Sequence, residues 1–287
     1  MDTRWGLSRQ ALRSCYPSRV ERLPYIVVLA CYGFAAVSHL LPAVVGERLA
    51  SRARPVAGVG VGIQAAALAI GILVGPWRPG LPEALSATSL GVAGAYTWVG
   101  HGRLRTLGMA LCPLALVILG TALVVPHRQV VALSHAGFSP WLPLHLGLLF
   151  AGIGGFAFAF AVGVLYLWAR SRLKAKRLDA LGRLPSLEVL DRLQFRAMLF
   201  GFVFLTLGIG AGGALAAASL TEPWAVDPKV LFALLIWFWY GCALQVRLVA
   251  GGRGRWTALF SIVGFGGLLF SILGVNFLFS GFHAYAS

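Results

Sequence analysis

The chain alternates between long apolar runs and short segments that carry nearly all of its charge. Eight runs lack Asp, Glu, Lys and Arg, and a helix needs roughly 20 such residues to cross the hydrocarbon core. They lie at residues 24–45, 56–76, 84–100, 106–125, 143–168, 197–220, 230–246 and 256–280. Their apolar residues are continuous, whereas the strands of a membrane β-barrel alternate. The pattern predicts an all-α polytopic membrane protein, a bundle of about eight transmembrane helices.

Composition supports this class and excludes others. Hydrophobic residues make up 59% of the chain and charged residues 11%, and the mean hydropathy of +0.82 is far above that of a water-soluble fold. The net charge of +15 lies between the apolar runs instead of on one face, so it indicates membrane topology and not nucleic-acid binding. The four cysteines are scattered without a CxxC pair and predict no metal or disulfide framework.

The distribution of lysine and arginine predicts the orientation. The loops after the first, third, fifth and seventh runs hold 16 of the 24 basic residues, the loops after the second, fourth and sixth hold one each, and the C-terminal end holds none. By the positive-inside rule the 16-residue set is cytoplasmic, so both termini face outward. The five arginines of the 1–22 tail run against this orientation. We expect a multi-pass protein of the cell inner (plasma) membrane.

The chain divides into three parts by charge and hydropathy. A basic N-terminal tail, 1–22, precedes the first four runs with their outer loop, 23–142, and a C-terminal core with the last four runs, 143–287. Within that core, 171–196 is a cytoplasmic segment whose leucines recur at i, i+3 spacing from Leu184 to Leu193, which predicts an amphipathic helix on the membrane surface. Its first half reads equally well as a solvated basic linker, and we expect anionic lipids to contact 170–177.

Histidines are the main candidates for chemistry. His145 opens the fifth run and His283 follows the eighth, so the topology places both near the outer interface together with Trp224 and Asp227 of the 221–229 loop. Two neutral imidazoles are a common axial pair for haem iron, and an aromatic floor suits the porphyrin face. Each histidine alone is more often a structural or interfacial residue. His101, His127 and His135 have the pattern of ordinary loop histidines.

A second pair lies at the inner depth of the membrane. His39 falls inside the first run, where an ionisable residue is by default a functional hypothesis. Gln245 has a similar depth in the seventh run, but glutamine is a poor iron ligand. Interhelical hydrogen bonding is the alternative for both. No Ser-His-Asp, HExxH, phosphate-loop or dinucleotide motif is present, so acid–base catalysis has little to work with.

From about residue 141 the sequence resembles the CcsA/HemX-like cytochrome c assembly family. The similar text is WLPLH at 141–145, LPSLEVLDRLQFRAMLFGFVFLTLGIGAG at 184–212, VDPKV at 226–230, GRGR at 252–255 and GVNFLFSGFHAYA at 274–286. The first four runs agree more loosely, with RTLGMALCPLAL at 105–116, and are nearer to the HemX-like branch.

The resemblance implies haem handling. Members receive haem in the membrane and present it externally between two histidines over a tryptophan-rich loop. It implies b-type haem as cofactor, and a CcsB/ResB-type membrane partner and apocytochrome c as partners. By motif, the outer histidines are His145 and His283, and Trp224, Asp227, Lys229 and Asn276 complete the cofactor site. Catalytic residues are not implied, and the chain is at most the haem-presenting part of a cytochrome c synthase.

The sequence also departs from the family pattern. The loop has Leu220 and Thr221 where the family has Trp-Gly, and Val226 where it has the last tryptophan, so one tryptophan of the three remains. Gln245 replaces the histidine of the LHxR motif. A HemX-like protein that regulates or supports tetrapyrrole metabolism without synthase activity is therefore an alternative, and a structural membrane subunit is another. A small-solute transporter would show inverted repeats and broken helices, which are absent from the sequence.

Overall fold

The computed structural model describes residues 19–41, 46–73, 81–125, 141–176, 185–219 and 227–274. Within these ranges the chain is helical and contains no strand, and a long helix stands at each of the eight predicted runs. They are α1 (Arg19–Leu40), α2 (Ala53–Leu73), α3 (Leu81–Val99), α4 (Gly108–Val124), α5 (Trp141–Lys174), α6 (Leu187–Ser219), α7 (Pro228–Leu248) and α8 (Arg255–Leu269). Seven are long and apolar enough to cross a membrane, which confirms the predicted class.

The exception is α3, which carries Ser86, Thr88 and Ser89 in its first half. Its polar groups are buried and satisfied by neighbouring helices: Gln64 of α2 donates through Nε2 to the carbonyl oxygen of Ser86 at 3.0 Å. Ser89 donates through Oγ to the carbonyl oxygen of Ala115 on α4 at 2.8 Å. A helix whose polar side chains find partners inside the bundle tolerates a lower hydropathy than one that faces lipid. This accounts for the weak third run in the sequence.

Helix α5 lies between the two halves of the bundle. The first four helices pack mainly on one another, and α3 also contacts α5. On its other sides α5 packs along α6 and against α8, while α7 rests on α6 and α8. Helices α6 and α8 therefore pack directly on α5, and α7 is positioned through α6 and α8.

Glycines let the backbones of α5 and α6 approach closely. A Cβ added to Gly155 of α5 would lie 2.9 Å from the backbone nitrogen of Gly201 on α6. One added to Gly152 would lie 2.9 Å from the backbone nitrogen of Leu205. Small residues at such crossings are the usual means of tight packing between membrane helices.

The segments rich in basic residues meet at one end of the bundle. A 3₁₀ turn, Gly102–Leu107, precedes α4, and its Arg105 donates to the carbonyl oxygen of Ala50, which lies just before α2, at 3.2 Å. The Tyr166 hydroxyl, near the end of α5, packs against Gly254, just before α8. The basic segments before α2, before α4, after α5 and before α8 therefore share one side, as the charge pattern requires. That this side is cytoplasmic stays a prediction.

The structure describes part of the segment 171–196, for which the sequence predicts an amphipathic surface helix; residues 177–184 lie outside the described residues. Residues 187–196 are the first turns of α6 itself, so they continue directly into a membrane span. Ser186 accepts the N–H of Val189 through Oγ at 3.3 Å where this helix begins. The leucine stripe packs against the bundle, and Leu190 is fully buried. An apolar stripe at helical spacing forms on either kind of helix, and here its partner is protein instead of lipid.

Candidate functional site

His145 lies in the first turns of α5 and is held by α6. Its Nδ1 is 2.8 Å from the carbonyl oxygen of Gly208. A carbonyl only accepts, so Nδ1 carries the hydrogen, and in the neutral ring the lone pair is on Nε2. Histidines that bind metal are oriented in this way, with the second ring nitrogen donating to a carbonyl or carboxylate. The contact with α6 therefore fixes the orientation of the His145 ring and the tautomer whose lone pair is on Nε2.

Gly212 provides the space for that ring. It lies one turn beyond Gly208 on the same face of α6, and a Cβ added to it would overlap the His145 ring. Helix α6 thus contributes the Gly208 carbonyl, which fixes the tautomer, and the side-chain-free backbone of Gly212, against which the ring packs. This explains Gly212 among the glycines that cluster in α6.

Asp227 determines how the chain enters α7. Its Oδ1 accepts the N–H of Lys229 at 2.8 Å, and Pro228 occupies the first helical position, which is a strong helix start. Asp227 is buried, and Lys229 is half-buried and interacts electrostatically with it. The Asp-Pro-Lys sequence therefore forms a capped start of α7.

The other predicted members of the outer site lie outside the described residues. These are Trp224, Asn276 and His283, and the loop histidines His127 and His135 are outside as well. His145 begins α5, Gly212 lies near the end of α6 and Asp227 begins α7, so all three are at the end of the bundle opposite to the basic segments. That His283 and Trp224 join them stays a prediction.

The predicted inner pair is not brought together. His39 forms a hydrogen bond between its Nε2 and the Tyr96 hydroxyl of α3 at 2.6 Å, and its ring packs against Gly108. Gln245 is exposed on the surface of α7, and no hydrogen bond joins it to His39 within the described ranges. Interhelical hydrogen bonding, the alternative left open by the sequence, describes His39.

Sequence reasoning missed an ion pair near the basic end. Arg247 of α7 donates to both carboxylate oxygens of Asp191 on α6, at 2.7 and 2.8 Å, and the side chains are only 9% and 13% exposed. Asp191 also accepts the N–H of Gly254 at 2.8 Å, and Gly254 has a φ of +67° that favours glycine. Arg247 reaches Thr257 of α8 at 3.1 Å. We call this arrangement the Asp191–Arg247 clasp; it joins α6, α7 and α8.

Comparison with known proteins places the chain in a family. The model of the family described as Cytochrome C assembly protein matches residues 80–283. The chain belongs to the cytochrome c assembly protein family. His145 and the Asp191–Arg247 clasp fall inside the match, whereas His39, α1 and α2 precede it.

Three relatives show the extent of the similarity. The chain is 30% identical over 212 residues to the cytochrome c biogenesis protein CcsA of Trieres chinensis. This alignment covers 63% of this chain and 68% of that protein. It is 40% identical over 106 residues to CcsA of Thermosynechococcus vestitus, covering 37% of this chain and 33% of that protein. For CcsA of Prochlorococcus marinus strain MIT 9301 the identity is 33% over 174 residues, covering 56% and 53%. The chain therefore spans a third to two thirds of the length of these relatives.

Proposed function

We propose that the protein is a haem-binding membrane factor in c-type cytochrome biogenesis, which presents haem on the outer face for attachment to apocytochrome c. The observation that carries the proposal is the orientation of His145, whose Nδ1–H is committed to the Gly208 carbonyl. A histidine held in this way offers Nε2 to an iron. Membership of the cytochrome c assembly family supports the role in cytochrome c biogenesis.

The proposed site has His145 and His283 as axial ligands and Trp224 as an aromatic platform. Asp227 would orient the loop at the start of α7, Lys229 would meet a haem propionate, and Asn276 would complete the site. Haem of the b type, when bound, supplies the vinyl groups that react with cysteine thiols. The protein residues hold and orient the ligand, so the chain acts by placing reactants together, not by acid–base catalysis.

The proposed partners follow from this role. A CcsB/ResB-type membrane protein would complete the assembly, and apocytochrome c would be the acceptor of haem. The protein would lie in the inner (plasma) membrane with its haem site toward the periplasm or cell exterior. The charge pattern supports this orientation, since the basic segments share the end of the bundle opposite to His145.

A second function is favoured by one observation. Gln245 stands where the family motif has a histidine, and it is exposed instead of aimed at an inner partner. This supports a HemX-like protein that regulates or supports tetrapyrrole metabolism without synthase activity. In that case the outer histidine pair would serve sensing or storage of haem.

The absorption spectrum of the purified protein tests the first function. We expect haem to be bound, or taken up on addition, with the spectrum of a six-coordinate iron. Deletion of the gene is expected to reduce covalent haem on c-type cytochromes, measured by haem staining of membrane proteins. A protein that takes up no haem contradicts the proposal, and a normal cytochrome c profile with altered tetrapyrrole levels favours the HemX-like function.

The seat of the His145 ring provides a finer test. Gly212→Ala is expected to displace the ring and to weaken haem binding by about 10- to 100-fold, the usual effect of disturbing a ligand's support. The control is Gly210→Ala on the same helix, because a Cβ at Gly210 meets no atom within 4 Å. Haem titrations of the two variants should differ clearly, and equal affinities would show that the Gly212 contact does not position the ligand.

A further inference from the structure

The end of the bundle opposite to His145 carries an unusual concentration of arginine. The loops 46–55 and 100–107 contain five arginines and one acidic residue, Glu47. We call the five the N-terminal arginine cluster: Arg48, Arg52, Arg54, Arg103 and Arg105. Four of them are exposed, and Arg54 is half-buried.

Hydrogen bonds join the two loops into one surface. Arg54 donates through Nε to the carbonyl oxygen of Thr97 at 3.0 Å and through a terminal nitrogen to Nε2 of His101. Arg105, in the loop 100–107, donates to the carbonyl oxygen of Ala50, in the loop 46–55, at 3.2 Å. Neutral acceptors therefore hold Arg54 and Arg105 where the two loops meet.

No carboxylate neutralises this cluster among the described side chains. The ion pairs there are Arg192–Glu188 and Arg247–Asp191, and neither includes one of the five arginines. By contrast, the buried Arg247 forms hydrogen bonds to both carboxylate oxygens of Asp191. Arginines that pair with no carboxylate among the described side chains retain N–H donors for an external anion, and a planar guanidinium suits phosphate.

The surroundings of the cluster favour a lipid over a soluble anion. Trp98, next to the carbonyl that Arg54 contacts, is 82% exposed, and Leu40 and Leu49 are about half exposed at the same level. An exposed tryptophan at the end of a membrane helix is typical of the interface between headgroups and acyl chains. Apolar side chains beside phosphate-binding groups suit a ligand that has both a phosphate group and acyl chains.

We propose that the N-terminal arginine cluster binds the phosphate headgroup of an anionic membrane lipid, with the acyl chains against Leu40, Leu49 and Trp98. Most of the cluster precedes residue 80, where the family match begins. The site is independent of haem, and it links the two loops that hold α1 to α4 together at this end.

The test uses the full chain, delipidated in detergent, with phosphatidylglycerol or phosphatidylcholine added in mixed micelles. We expect retention of phosphatidylglycerol by native mass spectrometry, with a raised temperature of unfolding, and little effect of phosphatidylcholine. Arg54→Gln with Arg105→Gln is expected to lower the preference for the anionic lipid about tenfold. Arg52→Gln with Arg103→Gln, which breaks no side-chain hydrogen bond between described residues, should act in the same direction.

The matched control is Arg255→Gln, an exposed arginine at the same end of the bundle on α8. It should retain the anionic lipid like the unchanged protein. If Arg255→Gln lowers retention as much as the cluster variants, diffuse surface charge accounts for binding and the proposal is wrong. Inorganic phosphate is the second arm: equal protection by phosphate at the same concentration would overturn a lipid as the ligand.

Discussion

Asp191→Ala is expected to lower the free energy of unfolding by about 3–5 kcal/mol, because it leaves a largely buried arginine without its carboxylate. The guanidinium of Arg247 is bound by both carboxylate oxygens and packs over the Phe195 ring at 4.4 Å, so it has little access to water. The N–H of Gly254 loses its acceptor in the same variant. Chemical denaturation in detergent micelles, followed by tryptophan fluorescence, measures the change.

A neighbouring ion pair on the same helix provides the control. Glu188 and Arg192 pair across one turn of α6, but their side chains are 72% and 64% exposed, so solvent screens the interaction. Glu188→Ala should therefore leave the denaturation midpoint almost unchanged. Equal effects of Asp191→Ala and Glu188→Ala would show that the clasp does not stabilise the fold. Replacing Asp191 and Arg247 together with leucine and methionine should restore much of the loss, since neither charge remains unpaired.

His145→Ala is expected to abolish the six-coordinate haem spectrum and to weaken haem binding by about 100-fold or more, because a ligand contributes more than its supporting groups. The ring is the group that Gly208 and Gly212 of α6 hold in one orientation. His283→Ala should give the same spectral change if His283 is the second ligand. Optical titration with haem, at matched protein concentration, measures both variants.

His101→Ala is the control for the loss of a histidine. His101 is exposed at the opposite end of the bundle and should keep the haem spectrum of the unchanged protein. If His145→Ala and His283→Ala both keep the six-coordinate spectrum, the iron ligands lie elsewhere. Unfolding temperatures of the three variants separate loss of a ligand from loss of the fold.

Much of the fold was predictable because membrane helices can be recognised in a sequence by their length and apolar composition. The eight runs found in the sequence correspond to α1 through α8, including the weak run that became α3. His145 was also predictable as a candidate, since it opens the fifth run next to an interface. Its support by Gly208 was not, because that contact spans 63 residues and depends on how α5 and α6 cross.

Other contacts were unpredictable for physical reasons that single residues illustrate. Asp191 and Arg247 are 56 residues apart, and no motif in either segment indicates that the two side chains form an ion pair. The direction in which Gln245 points depends on the rotation of α7, which glycine and aromatic packing determine together. The leucine stripe of 187–196 indicates a helix, and a helix is present there, but the stripe does not specify its partner, since lipid and protein both cover apolar stripes.

Helix α6 runs without interruption from the clasp to the seat of His145. Asp191 and Gly208 are separated by 17 residues, which is about 26 Å along the axis of a continuous helix. A rod of that length that tilts by about 5° moves its far end by about 2 Å, which is enough to break a hydrogen bond of normal length. Asp191 and the Gly208 carbonyl therefore lie on one continuous helix, so a change in the tilt of α6 at the Asp191–Arg247 clasp would alter the distance between that carbonyl and Nδ1 of His145.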